Sequence, residues 1–130
     1  MHRLFLDANV LFPAAYRPDA GLLSLWKLKG ATLCSSRYAI EEARFNLDDD
    51  DQRARLTALA QHLHLFEAAA RELPDGISLP EKVIPILLAA VEARATHLLT
   101  GGIRDFGRHF GHKIAGILIL PPGEYLRAHA

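Results

Sequence analysis

Asp7, Asp105 and the glutamate pair Glu41 and Glu42 are the residues whose type and placement suit chemistry. Leu4-Phe5-Leu6-Asp7-Ala8-Asn9-Val10-Leu11 is a short apolar run that reaches a carboxylate. An acid at the C-terminal end of a buried strand is costly unless its charge is met. In open α/β sheets that edge is also where ligands bind. Asp7 therefore reads either as a metal-binding or catalytic group, or as the cap of the next helix. Thr100-Gly101-Gly102-Ile103-Arg104-Asp105-Phe106 follows a later strand. Strand ends in a parallel sheet point to the same edge, so Asp7 and Asp105 are expected to meet there. A glutamate from the helix in the middle of the chain, Glu41 or Glu42, is expected to join them. Carboxylates gathered at one point repel each other, and a hard cation such as Mg²⁺ or Mn²⁺ relieves that repulsion. Such a site activates water and holds a phosphodiester. Asn9 either hydrogen-bonds near the metal or caps the turn. Thr100 either orients a ligand water or bonds to backbone.

The elements that must position these residues alternate between strand and helix. Arg3 to Leu6, Ala31 to Ser35, His64 to Glu67, His97 to Thr100 and Ile117 to Leu120 read as strands. Ala20 to Lys29 has helical apolar spacing and stops at Gly30. Arg37 to Leu47, Gln52 to Leu63, Val83 to Ala95 and Gly123 to His129 read as further helices, with Pro85 tolerable only in a first turn. Leu73-Pro74-Asp75-Gly76 is a turn. The alternation predicts right-handed βαβ units and a mostly parallel sheet covered on both faces. The expected fold is a three-layer α/β/α sandwich.

Composition narrows the setting. With 130 residues the chain is expected to form one domain, residues 1–130, with a sizeable core. Lys plus Arg equals Asp plus Glu at 15 each, so a nucleic-acid partner must be gripped by a local patch. The single cysteine, Cys34, cannot form an internal disulfide and suits a reducing compartment. No stretch reads as a signal peptide or a membrane span, so the expected location is the cytoplasm.

These pieces in this order resemble the PIN domain, the small ribonuclease fold of many prokaryotic toxin–antitoxin pairs. The matching stretches are Leu6-Asp7-Ala8-Asn9-Val10-Leu11 and Glu42-Ala43-Arg44-Phe45-Asn46-Leu47. Leu79 to Leu87 and Ala95 to Gly107 continue the match in register. The resemblance implies an acidic cluster that binds one or two divalent metals, Mg²⁺ or Mn²⁺, and cleaves RNA. It implies an antitoxin protein as partner and a homodimer. Asp7 and Glu42 match principal acids, and Asp105 matches an additional one. Val83 and Gly102 stand where two further principal acids are usual. Affinity for a hard cation follows ligand charge, so the site is expected to be weak. Gly102 could alternatively serve a positive φ.

Other residues have plainer readings. Glu81 reads as a helix-start acid that complements the dipole, although its side chain is long enough to reach the site. Glu41 is expected to face solvent beside Glu42. The Asp48–Asp51 run reads as a solvated helix start. His62 with His64, and His109 with His112, lack the ligand pattern of a zinc site. Trp26 reads as core. Arg104, Arg108, His109, His112 and Lys113 form a basic stretch that either contacts phosphates or is solvated. Three functions remain open: a weak metal-dependent ribonuclease, a catalytically inactive PIN fold that binds RNA or protein, and another α/β hydrolase. No nucleophile motif or phosphate-binding glycine loop supports the last.

Overall fold

The computed structural model describes residues 1–69 and 72–129. Its first half comprises β1 (His2–Leu6), α1 (Ala8–Tyr16), a 3-10 helix (Gly21–Lys27), β2 (Ala31–Ser35), α2 (Arg37–Asn46), α3 (Asp50–Ala60) and β3 (His64–Leu65). A 3-10 turn (Glu81–Val83) then leads into α4 (Ile84–Glu92), followed by β4 (His97–Leu99) and α5 (Ile103–Phe106). After a second 3-10 turn (Gly107–His109) come β5 (Lys113–Ile114), β6 (Ile117–Leu120) and α6 (Pro122–His129).

The strands form one sheet in the order β3-β2-β1-β4-β6-β5. All neighbours pair in parallel except β5 with β6, which are antiparallel. Leu4, Phe5 and Leu6 in β1 and Leu98 and Leu99 in β4 have no exposed surface. Consecutive residues of a strand point to opposite faces, so both faces of these central strands are covered. The chain steps outward from β1 to β2 to β3, then returns to place β4 on the other side of β1. With right-handed crossovers, this reversal puts helices on both faces. The result is a three-layer α/β/α sandwich whose switch point lies between β1 and β4, where an open α/β sheet leaves a crevice.

Several boundaries differ from the sequence reading, each for a local reason. The Ala20 to Lys29 helix is a 3-10 helix limited to Gly21–Lys27, because i, i+3 apolar spacing fits either helix type. Within it Trp26 is half-buried and donates from Nε1 to the Leu59 carbonyl at 3.1 Å. The Val83 to Ala95 helix begins at Ile84 and ends at Glu92, with Pro85 in its first turn as its missing N–H requires. His109 closes a 3-10 turn and His112 lies beyond it, so the two are not neighbours on a helix. Among the described residues, no helix is long and apolar enough to cross a membrane.

The Asp48–Asp51 run starts α3, and Gln52 and Arg55 just beyond it tie α3 to α1. Asp49 caps α3 by accepting from Gln52 N at 2.8 Å, and Gln52 Oε1 accepts from Asp48 N at 2.7 Å and Asp49 N at 3.2 Å. Gln52 is buried and also donates from Nε2 to Tyr16 O at 3.3 Å, while Arg55 donates to Ala15 O and Tyr16 O at 2.9 Å each. The last carbonyls of α1, the helix that follows Asp7, thus find their donors on α3. Gln52→Ala should cost about 1–3 kcal/mol of stability in urea unfolding, because it orphans buried groups. Exposed Asp51→Ala should stay within about 0.5 kcal/mol of wild type in the same assay.

Candidate metal centre at the sheet edge

Asp7 follows β1 directly and is the N-cap of α1. Both sequence readings of Asp7 therefore apply at once. Only 5% of its surface is exposed. Oδ1 accepts from Ala8 N at 2.6 Å, and Oδ2 accepts from Thr100 Oγ1 at 2.8 Å and Asn9 Nδ2 at 3.4 Å. Thr100 is fully buried at the end of β4, and its backbone N–H donates to Leu120 O at 3.0 Å. Asn9 Oδ1 in turn accepts from Gly101 N at 2.8 Å. Asn9 thus both caps the turn after β4 and hydrogen-bonds the candidate ligand. Thr100 is turned mainly to the carboxylate and also accepts from Gly102 N at 3.1 Å.

A cleft of about 550 Å³ opens over this network, walled by Asp7, Asn9, Phe12, Glu42, Asn46, Lys82, Val83 and Asp105 among others. Glu42 reaches it from α2, whose buried face of Ala39, Ile40 and Ala43 fixes the helix against the core. Asp105 reaches it from α5 and forms an ion pair with Lys82 at 3.6 Å. Tyr38 Oη donates to the Lys82 carbonyl at 2.9 Å and so ties α2 to the turn that carries Lys82. Glu81, in that same turn, is exposed and lies outside these walls. Glu41 pairs with Arg44 at 3.6 Å on the exposed side of α2.

The two non-acidic positions are both at the site. Val83 lines the cleft and is buried. Gly102 has φ −76°, so the positive-φ explanation for this glycine does not hold. Close packing explains it instead. A Cβ there would lie 3.0 Å from Asn9 Nδ2 and 3.3 Å from Thr100 Oγ1, atoms that hold Asp7.

Charge is poorly accommodated in the cleft without a counter-ion. Burial pushes the Asp7 carboxyl above its ordinary range; the Thr100 and Ala8 hydrogen bonds oppose this and Asp105 adds to it. Burial also raises Glu42, with Asp7 as the next cause and Lys82 opposing. Tyr38 is raised by burial, then by Glu42 and Asp7. Burial is the main cause of these shifts; repulsion from Asp105 at Asp7, and from Asp7 and Asp105 at Glu42, adds to them, and Lys82 opposes the shift of Glu42.

No family model matches the chain, and no curated protein matches it in sequence. Among solved structures it superposes on a chain of VapBC2 from Rickettsia felis, bound to a DNA fragment from their promoter. The TM-score is 0.67 at 17% identity, over 92% of this chain and 98% of that chain. The fold is PIN-like. On this PIN-like fold the sequence-selected Asp7, Asn9, Glu42 and Asp105 face one cleft, with Thr100 hydrogen-bonded to Asp7 at its edge. Sequence reasoning missed Lys82 and Tyr38. The signal for Lys82 was its place immediately before Val83; nothing in the sequence pointed to Tyr38 as its anchor. The basic stretch divides: Arg104, Arg108 and His109 line a groove that shares Asp105 with the cleft, whereas Lys113 lies near His97.

A carboxyl whose folded pKa lies above its ordinary value holds its proton more tightly in the folded state. Its ionisation therefore removes stability as pH rises through that range. In metal-free buffer, Glu42→Gln should match wild type below pH about 4 and exceed it in thermal stability at neutral pH. Equal melting temperatures at both pH values would show that neither burial nor its acidic neighbours raise Glu42.

Proposed function

We propose that this protein is a divalent-metal-dependent ribonuclease of toxin–antitoxin type, with an incomplete acidic site and weak activity. The supporting observation is the convergence of Asp7, Glu42 and Asp105 on one cleft at the switch point of a PIN-like sheet. The donor set is all oxygen, which suits Mg²⁺ or Mn²⁺. Asp7, Glu42 and Asp105 are the residues that would hold the ion. Lys82, exposed at the cleft wall, pairs with the largely buried Asp105 carboxylate and would have to give way to the ion. When bound, the cation neutralises phosphodiester charge and activates water.

The protein's own groups account for the rest of the proposed chemistry. Thr100 and Asn9 hold the Asp7 carboxylate in one orientation through Oδ2. Lys82 supplies a cation at the cleft wall that can follow a phosphate oxygen once Asp105 is engaged elsewhere. Arg104 and Arg108 sit along the adjoining groove, where successive phosphates of a single strand can lie. RNA is the substrate in this reading. An antitoxin protein is the partner, by analogy with the VapBC2 pair. A homodimer and a cytoplasmic setting belong to the same reading, and Cys34 is buried as a free thiol.

A second reading, a catalytically inactive PIN fold that binds RNA or protein, is favoured by Val83 and Gly102. Calorimetry and RNA cleavage separate the two. The ribonuclease reading expects weak Mn²⁺ binding, weaker Mg²⁺ binding, and slow cleavage that Asp7→Asn abolishes. Metal-independent RNA binding with no cleavage in saturating Mn²⁺ would establish the inactive module. Val83→Asp should tighten Mn²⁺ binding by about tenfold, because it adds one carboxylate to the cleft wall. Gly102→Asp should instead lower stability, because its Cβ meets the Asn9 side chain. No gain in Mn²⁺ affinity in folded Val83→Asp would remove the argument from missing charge.

A further inference from the structure

The N-terminal edge of the sheet carries a second side-chain cluster, built from residues that lie far apart in sequence. His2 opens β1, His97 opens β4 and His129 closes α6. In the β1–β4 register His97 pairs with Leu4, so His2 lies two residues along on the same face. One ring nitrogen from each of the three histidines lies within 4.8 Å of the other two. We infer that His2, His97 and His129 form a binding site for a borderline transition-metal cation, Zn²⁺ being the natural occupant.

The ligand chemistry selects this class of ion. Three imidazoles suit zinc and its neighbours rather than Mg²⁺ or Ca²⁺, which prefer oxygen. Three histidines leave a fourth tetrahedral position to water. His129 is exposed, so that position opens to solvent. Tetrahedral nitrogens at zinc distance are about 3.3 Å apart. The ligands must therefore draw together, and His129, at the exposed end of its helix, has the freedom to move.

The supporting groups are already in place. His2 Nδ1 is 2.7 Å from Tyr125 Oη, and His97 Nδ1 is 2.8 Å from Thr96 Oγ1. The Thr96 hydroxyl has Arg3 O as an acceptor at 3.0 Å, which leaves Oγ1 able to accept from His97 Nδ1–H. In that arrangement Nε2 of His97 is the free ligand nitrogen, and His2 follows suit when its Nδ1–H donates to Tyr125. Metal-bound histidines are commonly oriented through the other ring nitrogen in this way. Two features oppose binding. The His129 ring stacks on Tyr125 at 4.3 Å between centroids, and Lys113 places a positive charge near His97. This edge is roughly 16 Å of strand away from Asp7, so the two sites can be tested separately.

The test is Zn²⁺ titration of the untagged full-length protein by calorimetry, with Co²⁺ absorption as a spectroscopic readout. The expected result is one Zn²⁺ per chain, a tetrahedral Co²⁺ spectrum and a higher melting temperature with Zn²⁺. His129→Ala, at an exposed position, should keep the fold and abolish the Co²⁺ spectrum. Tyr125→Phe keeps the ring and should weaken Zn²⁺ by about tenfold. Glu42→Gln should leave Zn²⁺ binding unchanged. The inference is overturned if Zn²⁺ does not bind, if His129→Ala binds it as wild type does, or if Glu42→Gln abolishes binding.

Discussion

The Asp7 carboxylate, almost wholly enclosed at the meeting point of β1 and β4, constrains everything around it. A buried carboxylate needs donors for both oxygens. The chain supplies them from two directions: the first N–H of α1 for Oδ1, and the Thr100 hydroxyl for Oδ2. That pairing works only if β1 and β4 are adjacent, parallel and in the observed register, with Leu6 beside Leu99. The sheet order follows from the same requirement, because β4 must return past β2 to reach the other side of β1.

Once Asp7 is fixed, its surroundings decide what the cleft can do. Asn9 lies two residues beyond Asp7 and braces both Asp7 and Gly101, so the loop after β4 is held close. That closeness crowds position 102, where a Cβ would lie 3.0 Å from Asn9 Nδ2 and oblige the Asn9 side chain to shift. Asp105 then enters from α5 and Glu42 from α2; burial first, and then repulsion from Asp105 at Asp7 and from Asp7 and Asp105 at Glu42, raise the proton affinity of both groups. Lys82, itself exposed, answers part of this charge by pairing with the largely buried Asp105 at 3.6 Å. A cleft with excess negative charge, oxygen donors only and a weak internal counter-ion is suited to a divalent cation held loosely.

Much of this was legible in the sequence, for identifiable reasons. The central apolar runs of β1 and β4 are buried on both faces, and such strands announce themselves by composition. Asp7 was readable because it follows its strand directly, and Asp105 because it lies just past the turn that leaves β4, at an edge that parallel strands share. The helix α1 was not delimited, because Pro13 in its interior argues against a helix. The antiparallel strand β5 is only two residues long and gives no periodic signal. Lys82 was missed because its partner, Asp105, is distant in the chain. The histidines at 2, 97 and 129 were invisible for the same reason: spacing along the chain says nothing about an edge assembled by β1, β4 and α6. The basic stretch from Arg104 to Lys113 looked continuous in sequence, yet the turn into β5 sends its two ends to different parts of the surface.

The central claim is that the cleft over Asp7 is a divalent-cation site. Crystals of the protein soaked in Mn²⁺ and measured for anomalous scattering at the manganese edge test it without reference to substrate or rate. The expected result is an anomalous peak within coordination distance of carboxylate oxygens from Asp7, Glu42 and Asp105, with Lys82 displaced from Asp105. An empty cleft at high Mn²⁺, with the Lys82–Asp105 pair intact, would contradict the account.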